Sequence, residues 1–242
     1  MSARPAVVLV HGLWHDAWCW ERVVPELETA GFDVTAVHLP LTTLDDDVAE
    51  VGRALDGLDR PALLVGHSYG GAVVTAAGSH PAVCGLLYIA AYQLDEGESV
   101  SRTVPGRELP DTSLRAAMVL DAERGVVGLD PALGPALLYH DADDSVASAA
   151  AARLRPVARE VFRGIPRAIA WRAKPSTYLI CGADQVVHPA RQRAMAERAD
   201  IRMEWGCGHS PALTRPAELA ELIGTVAQRS LRARDEIPEA FG

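Results

Sequence analysis

Lysine is almost missing from this chain: Lys174 stands alone among 23 basic residues, and the remaining basic positions, all arginine, are scattered. Against them stand 32 acidic residues, giving a net charge of −9 and a pI near 5.3. That balance leaves no electrostatic footprint for a nucleic-acid partner and no polybasic patch for an anionic membrane. Cysteine is also sparse. Cys19, Cys84, Cys181 and Cys207 are far apart with no C-x-x-C pair, which argues against a disulfide framework and offers no metal-ligand spacing. Long hydrophobic runs are absent too. The apolar stretch 6–10 is far too short for a signal-peptide core or a membrane span, so the expected location is the cytoplasm. Neither a metal nor a cofactor is implied.

What the chain does contain is 49% hydrophobic residues over 242 positions, enough for one large domain with a buried core. Short apolar runs alternate with helical patterns, which predicts an α/β fold: a mostly parallel sheet covered by helices on both faces. Strands are expected at 6–10, 32–37, 62–65, 84–90, 176–181 and 201–205, with helices at 17–30, 71–77, 189–199 and 216–228. Gly31 closes the first helix, and the charged stretch 229–242, with Pro238, is expected to fray. Leu44, Val48, Val51, Leu55 and Leu58 recur at helical spacing, and Asp45, Asp46 and Asp47 suit the dipole of that helix's first turn. From Asp95 to about Trp171 prolines and glycines interrupt the pattern and no strand is evident. A stretch that long is better read as a mostly helical cap, spanning approximately 93–171 within a single domain of 1–242, than as a loop.

The most specific motif is Gly66-His67-Ser68-Tyr69-Gly70, placed between an apolar run and a small-residue helix. Strand, G-x-S-x-G and helix together describe a nucleophile elbow, a sharp turn that lifts a serine hydroxyl off the top of the sheet. Such a serine needs a base, and the base needs an orienting group. His209, in the glycine-rich loop Gly206-Cys207-Gly208-His209 after a strand, is the candidate base. Asp184, in Cys181-Gly182-Ala183-Asp184, is the candidate acid; Asp95, after the preceding strand, is the runner-up. His67 is expected to point away across the turn, and His11 to organise a loop. His38, His80 and His140 carry no specific signal, whereas His15 and His188 are placed where a pocket could be lined. The oxyanion donors would be the backbone N–H groups of Tyr69 and of Leu13 in His11-Gly12-Leu13-Trp14. Trp14, His15, Trp18, Tyr92, Tyr139 and Trp171 are the candidate pocket residues. The acidic stretch Asp141-Ala142-Asp143-Asp144 lacks calcium-loop spacing and reads as a helix N-cap.

Taken together, the run from Val8 to Cys19-Trp20, the segment Val65 to Gly71, Cys181-Gly182-Ala183-Asp184 and Gly208-His209-Ser210-Pro211 resemble the α/β-hydrolase superfamily. Within it they are similar to the group of plant hydroxynitrile lyases, methyl salicylate esterases and methylketone synthases, with their bacterial esterase relatives. The resemblance covers the chain up to Ala91 and the last 65 or so residues; the cap matches loosely. It implies a Ser-His-Asp hydrolase acting on a small carboxylic ester, a lactone or a thioester, with an apolar or aromatic group, and a dimer formed through the cap. Lyases of the group carry threonine at the position of Gly12 and lysine at that of Ser210, and both are absent here. A carbon–carbon lyase or polyketide-tailoring enzyme, and a non-catalytic ligand receptor, are the alternatives the same scaffold allows.

Overall fold

The computed structural model describes residues 4–236. Its centre is a six-stranded sheet built from β1 (Ala6–Val10), β2 (Val34–Val37), β3 (Ala62–His67), β4 (Val83–Ile89), and, after a long insertion, two further strands at Ser176–Cys181 and Ile201–Trp205. Every pairing in it is parallel. The residues of β1, β3 and β4 are buried throughout because helices cover both faces. Alternation sorts them cleanly. Val8, Val10 and Leu64 face α2 (Leu44–Asp56) and α3 (Gly70–Ala77), while Val7, Leu9, Leu63 and Val65 face α1 (Val24–Thr29) and the C-terminal helix, Pro216–Asp235.

Several boundaries depart from expectation. The single helix over 17–30 is two pieces, a 3-10 turn at Ala17–Trp20 capped by the Asp16 carboxylate, and α1, which restarts with Pro25 in its first turn. Gly31 does follow it, at φ +81°. The C-terminal helix runs on to Asp235 instead of fraying from 229, with Arg232 and Arg234 in its last turn where they complement the dipole; Pro238 lies outside the described residues. The larger correction concerns the insertion between β4 and Ser176. It is not free of strands: β5 (Met118–Asp121), β6 (Val126–Leu129) and β7 (Val157–Ala158) form an antiparallel sheet of their own. Around them lie α4 (Leu114–Ala117), α5 (Leu133–Leu138) and α6 (Asp144–Ala151). The remaining elements are β8 (Ser176–Cys181), α7 (Pro189–Ala196), β9 (Ile201–Trp205), α8 (Pro211–Thr214) and α9 (Pro216–Asp235), in the strand order β2-β1-β3-β4-β8-β9.

Parallel strands bring their C-terminal ends to one edge. The loops after β1, β3, β8 and β9 therefore emerge together, and these carry the candidate oxyanion donors, Ser68, Asp184 and His209. At the crossing of β3 and α3 the backbone is too close for side chains. A Cβ on Gly66 would lie 2.7 Å from the Gly70 carbonyl oxygen, and one on Gly70 would lie 2.5 Å from that of Val10. Gly66→Ala and Gly70→Ala are each expected to cost at least about 2–3 kcal/mol of unfolding free energy. Gly52→Ala in α2, where an added Cβ meets nothing within 4 Å, should gain about 0.5–1 kcal/mol. Urea unfolding of the three variants checks both signs.

Candidate active site

Ser68 adopts φ +53°, the left-handed region that a nucleophile elbow requires. Its N–H donates to the Ile89 carbonyl at 3.1 Å, and its carbonyl accepts from Gly71 and Tyr92, both at 3.0 Å. The turn is thus pinned to the strand beside it and to the helix that follows. Across it, the loop after β1 passes so closely that a Cβ on Gly12 would lie 2.8 Å from the Ser68 Cβ.

The candidate acid and base meet as a buried pair. His209 Nδ1 lies 2.7 Å from Asp184 Oδ2, with both side chains at most 1% exposed. The carboxylate is oriented by further donors: the N–H groups of Val186 (2.7 Å) and Val187 (3.0 Å) reach Oδ1, and the Gln192 amide reaches Oδ2 at 2.7 Å. Gln192 also accepts from the Cys181 N–H and donates to the Val187 carbonyl, so this fully buried residue of α7 stitches the acid loop to the end of β8. In the sequence it is one polar position on a short helix, with nothing to single it out. Asp95, the runner-up acid, instead caps its own turn and pairs with Arg172.

His67 does not point away. Its Nε2–H donates to the His209 carbonyl at 2.8 Å, and the two rings lie 4.7 Å apart. The residue before Ser68 therefore holds the backbone of His209. His11 sits where a loop organiser belongs, accepting from the Leu39 N–H at 3.1 Å while its Nδ1–H donates to the Gly12 carbonyl at 2.9 Å. His15 donates from Nδ1 to the Leu13 carbonyl and accepts the Tyr139 hydroxyl, each at 2.8 Å. Burial lowers the pKa of His11 to about 4 and of His15 to about 3, and pushes His67 well below its ordinary value. All three are neutral, with their protons assigned by these partners.

Tyr69 presents its N–H beside the nucleophile, and among the described residues no hydrogen bond consumes it or the Leu13 N–H. Its phenol donates to Asp47 at 2.5 Å, and the same carboxylate accepts from the Leu41 N–H at 2.8 Å. Asp47 is thus more than a dipole partner in the first turn of α2. It is buried, and burial lifts its pKa to about 6.

The pocket candidates scatter. His15 is joined to Tyr139 of the insertion. Tyr92 walls a cavity of about 300 Å³ with Leu114, Met118, Phe162 and Val187, and His188 stands at the same cavity. Trp14 is buried, donating its indole N–H to the Val127 carbonyl of β6, and Trp18 lies under the Arg153 guanidinium. Trp171 is elsewhere: it shares a surface cleft with Ser176 and Ile201, at the end of the sheet opposite the elbow. Of the acidic stretch, Asp143 stands at the N-cap of α6, while Asp141 turns to the site and accepts the Gly208 N–H at 2.6 Å.

An elbow serine, a buried His–Asp pair and a six-stranded parallel sheet define an α/β-hydrolase. The sequence profile of the alpha/beta hydrolase family matches residues 7–222, and the chain belongs to that family. Among its relatives are norfluorocurarine synthase 2 of Strychnos sp, 24% identical over 92% of this chain and 95% of that protein, and methylesterase 17 of Arabidopsis thaliana, 25% identical over 90% of each. The pyrethroid hydrolase of Sphingobium faniae JZ-2 superposes with a TM-score of 0.80 at 22% identity, covering 94% of this chain and 99% of that one. The protein is an esterase-like hydrolase of that family, similar to methylesterases and to a bacterial esterase. Among the described residues no helix is long and apolar enough to cross a membrane.

The three depressed histidines set the acid response. Their folded pKa values lie below the unfolded value of 6.5, so their contribution is complete above pH 6.5 and is lost as pH falls through about 4 and 3. Asp47 opposes them, since its raised pKa favours the fold more at pH 4 than at pH 6. The melting temperature should fall by on the order of 10 °C between pH 6.5 and 4. Asp47→Asn should steepen that fall, as thermal scans at fixed ionic strength would show.

Proposed function

We propose that the protein hydrolyses small carboxylic esters carrying an apolar or aromatic group, with Ser68 as nucleophile, His209 as base and Asp184 as its orienting acid. The observation that carries this is the buried 2.7 Å contact between His209 Nδ1 and Asp184 Oδ2, on a loop whose backbone is held by the residue before Ser68. With Nδ1–H donated to the carboxylate, Nε2 keeps its lone pair for the serine proton. Ser68 Oγ adds to the ester carbonyl carbon as that proton passes to His209, and the developing oxyanion is met by the N–H groups of Leu13 and Tyr69. Collapse breaks the carbon–oxygen bond to the alcohol, which takes the proton from His209. Water then repeats the addition on the acyl-serine and releases the acid.

The cavity beside Tyr92, walled by Leu114, Met118 and Phe162, supports an apolar acyl or aryl group. The insertion over 93–171 would serve as the lid: it bonds to the loops of the site through His140 and Asp141, and Ser68 is only 7% exposed. A cytoplasmic location and a homodimer belong to this reading as well. A synthase among the relatives keeps a carbon–carbon bond-breaking or tailoring reaction in view. Two observations favour hydrolysis over the lyase chemistry of the group. A threonine in place of Gly12 would press on Ser68, and Lys174 donates to the Val83 carbonyl at the start of β4, far from His209.

Hydrolysis of p-nitrophenyl acetate and butyrate should fall by a factor of about a thousand or more in Ser68→Ala. A fluorophosphonate probe should label the unmodified protein and not the variant. Retained activity in Ser68→Ala would remove Ser68 as nucleophile, and absence of ester turnover in both would overturn the esterase reading.

A further inference from the structure

Three consecutive residues just after α5 each bond to a different loop of the site. The Tyr139 hydroxyl donates to His15, whose other nitrogen donates to the Leu13 carbonyl in the oxyanion loop. His140 Nε2 donates to the carbonyl of Ala183, the residue before Asp184, at 3.0 Å. Asp141 accepts the N–H of Gly208, the residue before His209, at 2.6 Å. The fit is close, because a Cβ on Gly208 would lie 2.8 Å from His140 Nε2 and from the Asp141 carboxyl carbon.

In the sheet, β1 is separated from β8 by β3 and β4, so no strand pairing relates the oxyanion loop directly to the acid and base loops. The tripeptide spans that gap from above. We propose that Tyr139, His140 and Asp141 are positioning residues, a three-point tie that sets the oxyanion, acid and base loops relative to one another, so that the site is assembled only when the insertion is seated. This rests on the triad reading above. His140 and Asp141 are exposed, where hydrogen bonds add little to global stability, so their effect falls on placement.

Asp141→Ala and His140→Ala should each lower kcat for p-nitrophenyl butyrate by about 10- to 100-fold, with KM changed less than about threefold. Asp141→Asn keeps an oxygen acceptor and should restore kcat to within about threefold of the unmodified protein. In Asp141→Ala, amide exchange of residues 206–209 should quicken by at least about tenfold. An unchanged kcat, a loss confined to KM, or failure of the asparagine to restore would each overturn the proposal. If the unmodified protein turns over no ester, the esterase reading fails, and the exchange data still decide whether the tie holds the base loop: quickened exchange upholds it and unchanged exchange removes it.

Discussion

The left-handed backbone of Ser68 is the constraint on which the rest of the structure depends. A non-glycine residue in that region costs roughly 1–2 kcal/mol, and it persists only where its surroundings leave no alternative. Here they do so from several sides. Ile89 holds its N–H, Gly71 and Tyr92 hold its carbonyl, and Gly66, Gly70 and Gly12 are small because backbone or the serine itself occupies the space a side chain would need. The next residue is anchored at its far end, where Tyr69 donates to the buried Asp47. These three glycines and the Tyr69 phenol therefore fix both the hydroxyl and the N–H beside it.

Around that turn four imidazoles lie close together, and one differs from the rest. His11, His15 and His67 crowd the base of the site, yet each is buried, neutral and hydrogen-bonded to a carbonyl, His11 and His15 also accepting an N–H and a phenol. Of these four rings, His209 is the one with a carboxylate on Nδ1. Neutral rings pack against it without adding charge, so the polarity of the site is set by Asp184 and the backbone donors.

How much of this was legible in the sequence follows from burial. Strands buried on both faces, such as Ala6–Val10 and Ser176–Cys181, stand out as apolar runs, and the elbow and the Ser68, Asp184, His209 order follow from their strand ends. The small sheet of the insertion was not legible because its strands are four residues or fewer and half exposed, so they leave neither a run nor a clear alternation. The break after Trp20 was hidden because Trp20, Val23, Val24 and Leu27 keep helical spacing across it. Asp47, Gln192 and Asp141 escaped for a common reason. Each acts through hydrogen bonds to residues distant in the chain, and an acidic or amide residue on a helix or loop reads the same whether it meets water or a buried N–H.

Several contacts of the insertion at the elbow end are to main-chain atoms of the core: His140 on the Ala183 carbonyl, Asp141 on the Gly208 N–H, and Arg155 on the carbonyls of Leu39 and His15. Main-chain partners are indifferent to side-chain identity. At those points the core presents a generic socket, into which an insertion of different sequence could be plugged if it offered donors and acceptors at the same places. A scaffold with such a socket can exchange the walls of its binding cavity by recombination while its reacting groups stay where they are.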